Sequence, residues 1–285
     1  MRVLPVSALA AFACLTSAQT VRLQLKFPAG ETQRVTTAMS MKTTTEAGQS
    51  FEMLLNQSGN SMMKVLRATP QGGGVVRMTI GDEKTSMTLN GRAMTVPSTA
   101  TATKGMSLTF EFLPNGRISN ITGLDELLKK SGQTGLTPAT GQSMRDMMNF
   151  SYGGILPDHP VRPGDKWSGD MSFNQGPMDI QVHLTSKLLR VENRSGHRMA
   201  VVGMTGTGSI GASGLPSNAG SMNMKTDKFD LTGTLLFDLN RGWFSKSSMK
   251  LKIHAHVNAG GQGQPAKSVG IGMDMSVDTD YTPVR

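Results

Sequence analysis

From Trp243 to Val277 almost every large apolar residue stands at an odd-numbered position: Trp243, Met249, Leu251, Ile253 and Val257, then Val269, Ile271, Met273, Met275 and Val277. Successive side chains of a strand point to opposite faces, so a two-residue period describes strands that are dry on one side and wet on the other. One-sided burial of this kind belongs to antiparallel sheets, because strands of a parallel sheet are covered on both faces and read as continuous apolar runs. The period recurs in Met178, Ile180, Val182 and Leu184, and again in Phe229, Leu231, Leu235 and Phe237, where Gly233 leaves a gap suited to bending.

The first half carries the same signal less regularly. Val21, Leu23, Leu25 and Phe27 alternate with Arg22, Gln24 and Lys26, predicting a strand that Pro28-Ala29-Gly30 ends and to which Gln33–Thr45 returns as an antiparallel partner. Ser58-Gly59-Asn60 reads as a hairpin connection between Gln49–Gln57 and Ser61–Thr69. Gly72-Gly73-Gly74 reads as a turn, and Val75–Ile80 and Thr85–Leu89 as separate strands ahead of the hairpin signal Asn90-Gly91. Leu108, Phe110 and Phe112 share a face before Pro114-Asn115-Gly116 reverses the chain toward Ile118 and Ile121. Thr122 then caps a helix with Leu124, Leu127 and Leu128 on one side, and a second helix is expected over Thr140–Phe150. In the second half, Arg198–Thr207 is expected as a strand and Ala212–Gly220 as a Gly/Ser/Pro-rich connection.

The fold class expected is β-rich α+β: a large curved antiparallel sheet or incomplete barrel packed against one or two helices. Residues 19–285 would form a single domain. Two related lobes divided near 152–166 are the alternative, suggested by an echo between Glu111–Ile118 and Phe237–Phe244, each an apolar strand, a turn and an apolar strand.

Residues 1–18 read as a signal peptide. Arg2 precedes the mostly apolar Val3–Leu15, which is shorter than the roughly 20 residues that cross a membrane, and small residues stand ahead of Gln19. Cleavage there implies a periplasmic or extracellular protein. Lipid anchoring is not expected, since Ala11-Phe12-Ala13 before Cys14 is a poor lipobox. Removing the leader takes away the only cysteine, so neither a disulfide nor a thiolate metal site would hold the mature fold. The net charge of +9 is spread thinly, with Lys129-Lys130 the only adjacent basic pair and 5% aromatic residues, which argues against nucleic acid as a partner.

Apparent chemical motifs read mostly as structure. Gly206–Gly211 matches GxGxxG but lacks the βαβ context that would receive a pyrophosphate, and is taken as a glycine-rich β connection. His254 and His256 share a strand face, but two ligands do not make a metal site. Asp274, Asp278 and Asp280 share a parity and read as a solvated acidic face. Asp158, His159 and Asp165 could exchange protons if folding gathered them; their Pro/Gly-rich setting favours turn stabilisation. No catalytic residue, metal or cofactor is therefore assigned.

Leu156-Pro157, Pro163-Gly164-Asp165-Lys166-Trp167 and the late turn Asn240-Arg241-Gly242-Trp243 resemble an uncharacterised bacterial family of exported proteins of comparable length. More remotely, a curved sheet embracing helices is similar to bacterial lipoprotein and lipid carriers, and that resemblance implies an apolar ligand held between sheet and helix. On this reading the ligand-binding residues are Met144, Met147, Met148 and Phe150 on the helix, facing Phe229, Leu231 and Trp243 on the sheet. The function expected is an exported, non-enzymatic, envelope-associated or apolar-ligand-binding protein, with a lipid or a cell-envelope protein as partner. The alternatives are an extracellular structural or protein-interaction module and, behind it, a hydrolase.

Overall fold

The computed structural model describes residues 20–46, 51–95, 103–130, 155–175, 178–217, 220–260 and 267–284. The elements are β1 (Thr32–Glu46), β2 (Phe51–Ala68), β3 (Gly74–Leu89), β4 (Arg92–Met94), β5 (Ser107–Phe112), β6 (Ile118–Thr122), α1 (Leu124–Lys130), β7 (Lys166–Gln175), β8 (Met178–Arg194), β9 (His197–Ser217), β10 (Gly220–Asp238), β11 (Trp243–Gly260) and β12 (Lys267–Val284). All the strands belong to one antiparallel sheet, ordered β6-β5-β3-β2-β1-β12-β11-β10-β9-β8-β7, with β4 paired to the end of β3. Its centre is the ladder between the first and last strands, from Thr32 opposite Val284 to Glu46 opposite Gly270. β6 and β7 are its edges, and the sheet does not close into a barrel.

The sheet is strongly curved, and its own side chains show it. Phe112 on β5 and Trp243 on β11 are five inter-strand steps apart, about 24 Å on a flat sheet. Their ring centroids lie 6.1 Å apart. Phe27 fills the space beside them, 5.8 Å from Phe112 and 5.4 Å from Trp243. Around these rings the buried ends of the strands form a packed base, with Val35, Met63, Val76, Phe110, Leu188, Val202, Leu235 and Phe237 in one apolar cluster. From the helix, Leu124 is buried in this cluster and Leu127 packs against it.

Val21–Phe27 keeps the predicted alternation of buried and exposed side chains but is not a ladder strand. β1, its expected partner, is already paired on both sides, by β2 and β12, and so offers no edge. The segment lies instead as a strap across the base. Val21 bridges Val161, the Leu25 N–H donates to the Pro114 carbonyl (3.3 Å), and the next N–H, of Lys26, donates to the Gly242 carbonyl (2.9 Å). Consecutive strap residues thus hold the β5–β6 turn and the β10–β11 turn, the two places where the sequence echoes itself. Arg241 adds a mostly buried ion pair to Glu31, its Nε donating at 3.2 Å.

Four other expectations are corrected by the sheet. Ser58-Gly59-Asn60 is no hairpin, because β2 runs unbroken through it with ladders to β1 and β3 on either side, and pairing on both flanks outweighs local turn chemistry. Val75–Ile80 and Thr85–Leu89 are one strand, β3, bent by a bulge. Ala212–Ser217 continues β9, with Ala212 paired to Met178 of β8 and Leu215 to Met222 of β10, so most of the expected connection is strand. The helix begins one residue later than Thr122 implies, since the Gly123 carbonyl accepts its first bond, from Leu127 N–H. Asn90-Gly91, in contrast, forms the predicted two-residue hairpin with φ of 50° and 76°, as does the reversal at Ser195-Gly196. The expected signal peptide and the expected second helix lie outside the described residues.

Candidate apolar-ligand site

Strand register carries one parity of side chains across the sheet onto a common inner face. Met41 stands opposite Leu55 and Met275, Leu55 opposite Met87, and Met275 opposite Leu251. At the base this face is sealed. Toward the other ends of β1, β2, β3, β11 and β12 it carries half-exposed Met39, Met41, Met53, Leu55, Met87, Leu251, Val257, Ile271, Met273, Met275 and Val277, with Ile253 and Ala255 buried among them. They make an apolar trough, rich in methionine, on the inside of the curve. Methionine is unbranched and polarisable, so such a wall can refit itself around apolar guests of different shape.

The outer face of the same strands is mainly hydrophilic, with Leu54 and Met62 as half-exposed apolar exceptions. Ser40, Lys42, Asn56, Ser58, Lys84, Lys252, Asp274, Ser276 and Asp278 occupy it, with cross-strand pairs between Lys252 and Asp274 (3.6 Å) and between Lys246 and Asp280 (3.4 Å). A transmembrane β-barrel turns an apolar band outward to lipid and polar residues inward. The alternation here has the opposite sign.

Where the trough meets the base, a cavity of about 260 Å³ opens between β1, β2, β3 and β12, walled by Val35, Thr37, Met39, Gln57, Ile80, Glu83 and Val277. Phe229, Leu231 and Trp243, the sheet residues expected to face a ligand, are only 6%, 5% and 2% exposed. Trp243 belongs to the aromatic base and the other two to the adjoining floor. Met144, Met147, Met148 and Phe150 lie outside the described residues. The half-exposed inner positions of β1 and β2 were missed because Thr37, Thr43 and Gln57 interrupt their apolar parity, although Met39 and Met41 do share the parity of Val35.

The chemical motifs are dispersed. His159 Nδ1 lies 2.7 Å from Asp158 Oδ1, while Asp165 accepts the Arg162 N–H (2.8 Å) and so closes its own turn. The hydrogen bond to His159, followed by one to its own backbone, holds the Asp158 carboxyl below the usual carboxylate range, which leaves it no proton to give near neutrality. His254 and His256 are exposed on the outer face, where His256 pairs with Asp227. Among the described residues no three His, Cys, Asp or Glu side chains converge on a metal position. Gly206 and Gly208 sit inside β9, where a β-carbon would come within 3.3 Å of Leu231 Cβ and 2.3 Å of the Gln181 carbonyl oxygen, so these glycines serve close packing.

No curated protein matches the sequence. Among solved structures, the chain is similar to lipovitellin, described for its lipid–protein interactions, with a TM-score of 0.51 and 7% identity over 90% of this chain and 25% of the other. The chain therefore spans about a quarter of the length of that protein. It also aligns with the hypothetical lipoprotein YmcC from Escherichia coli K12 (TM-score 0.22, 12% identity, 83% of this chain and 85% of the other). A further alignment is with an outer-membrane channel from Pseudomonas putida F1 (TM-score 0.20, 9% identity, 90% and 97%). The family model described as a family of unknown function, DUF6263, matches residues 75–244, from β3 to the start of β11, and the chain belongs to that family.

Proposed function

We propose that this is an exported, non-enzymatic protein of the cell envelope that holds an apolar ligand, such as a lipid acyl chain, in the trough. The observation that carries the reading is the sign of the alternation: half-exposed Met41, Met53, Met273 and Met275 inside the curve, against Lys, Asp, Ser and Asn outside. Folding normally buries such apolar area, and a contiguous apolar surface left open marks a binding site. Phe229 and Leu231 form its floor. The fold likeness to lipovitellin, whose structure is described in terms of lipid, supports the class of ligand.

Native mass spectrometry of the mature protein, before and after delipidation, tests this directly. The expected result is an apolar adduct that rebinds, and Met41→Asp together with Met275→Asp should weaken rebinding at least about ten-fold, since a carboxylate in the trough must be desolvated by the guest. These positions are half-exposed, so folding should survive. A clean mass with no rebinding would overturn the reading. Export is checked separately by Edman sequencing of the secreted protein, which should begin at Gln19.

A further inference from the structure

Among the inward positions of β1, β2 and β3 that line the trough, only Glu83 is charged. It is there because of the bulge. The β2–β3 ladder passes from Ser61 opposite Ile80 to Gly59 opposite Glu83, so two steps on β2 match three on β3. That slip inverts the parity of β3. Upstream, Val76, Met78 and Ile80 face inward while Arg77 and Thr79 face out; in an unbroken strand Glu83 would join Arg77 on the wet side. Bulges commonly re-aim a side chain in this way. Gly81 makes this one practicable, since a β-carbon there would fall 2.0 Å from Asn60 Oδ1 and 2.8 Å from the Asn60 carbonyl oxygen.

The carboxylate so placed stands in the wall of the 260 Å³ cavity beside Met39 and Val277, where the Gln57 amide donates to it. Among the described residues no basic side chain pairs with it, although the neighbouring Asp82, which borders the same cavity, has Lys104 at 2.5 Å. A carboxylate has acceptor capacity beyond one neutral amide, and on an apolar wall it favours a cationic donor over water-poor surroundings. The cavity is smaller than the space a whole drug-sized ligand needs, and suits a head group whose tail continues elsewhere. We propose that Glu83, oriented by Gln57, anchors the protonated amine of an amphiphile whose hydrocarbon tail lies along Met39, Met41 and Met275. This assignment rests on the trough being the ligand site.

Three probes with one tail and different heads separate the two ideas: dodecylammonium, dodecanol and dodecanoate, the two ions titrated below their micelle concentrations and the alcohol below its solubility limit. The ammonium should bind the wild-type protein about ten-fold more tightly than the alcohol, with the carboxylate weakest, because a charge-assisted hydrogen bond is the stronger kind. This order runs against the protein's net charge of +9, which by itself favours the anion. Glu83→Gln should erase the preference while leaving the alcohol bound, and Glu52→Gln, a change on the outer face, should leave the preference intact. Equal binding of the three probes to wild type overturns the anchor and spares the trough, and this readout does not depend on any variant folding. An unchanged preference in Glu83→Gln also overturns the anchor. Failure of all three to bind overturns the trough reading and the anchor with it.

Discussion

Replacing Trp243 with alanine should lower the unfolding free energy by about 3–5 kcal/mol, the range for truncating a large buried aromatic side chain. The indole is 2% exposed and touches three rings on three different parts of the chain: Phe27 of the strap, Phe112 of β5 and Phe244 beside it on β11. Its loss would leave a cavity at the point where two distant stretches of the sheet meet, and neither can move in without unpairing strands. Trp243→Phe should retain most of the stability, because the indole N–H has no partner among the described residues and no hydrogen bond is forfeited. Urea denaturation with Leu189→Ala as an exposed reference checks both. A loss below about 0.5 kcal/mol for Trp243→Ala, the level of a typical exposed change, would mean that the base is not packed as described.

Gly73→Ala is expected to be as damaging, for a steric reason. A β-carbon at Gly73 would lie 2.0 Å from the Phe112 carbonyl oxygen and 3.1 Å from Thr69 Oγ1. Neither group can retreat easily. The turn is tied by the Thr69 N–H donating to the Gly73 carbonyl (2.9 Å) and by the Gly73 N–H donating to the Thr69 hydroxyl (3.0 Å), and Phe112 is locked in the base. Relief requires opening the β3–β5 end of the sheet, and a loss of at least about 3 kcal/mol follows, at the upper end of overpacking effects. Thermal unfolding of Gly73→Ala beside Gly211→Ala, which meets nothing within 4 Å and has an ordinary φ, is the measurement. Similar midpoints for the two would contradict the close approach at Gly73.

Much of the fold is legible in the chain because one-sided burial writes itself as parity. Met249 to Val257 and Val269 to Val277 are read as one-sided strands, since their inner positions are apolar; that they pair with each other is what the structure adds. The failures share a cause. Ser58-Gly59-Asn60 has the composition of a turn, and only the ladders from β1 and β3 keep it straight; that information resides in residues far along the chain. Val21–Phe27 shows the opposite case, a perfect alternation produced without a ladder, because a strap pressed between base and solvent also buries every second side chain. The site was less legible than the fold. Parity identifies Phe229, Leu231 and Trp243 as inward, but whether an inward side chain is sealed or open has no signature in local sequence: Ile253 is buried while Leu251, next to it on the same face of β11, is half-exposed. Glu83 was invisible for a related reason, since its direction is set by a bulge that counting residues along β3 does not register.

The pairing of β1 with β12 has a consequence in time. β2 can join β1 as soon as it is made, whereas the opposite edge of β1 waits for residues 267–284, which are made roughly 220 residues after β1 ends. At about 5–20 residues per second, that is an interval of roughly ten to fifty seconds. Through it β1 offers an unpaired edge bearing Val35, Met39 and Met41 to any other strand nearby. The seam that makes the finished sheet continuous is thus the growing chain's longest-lived point of exposure.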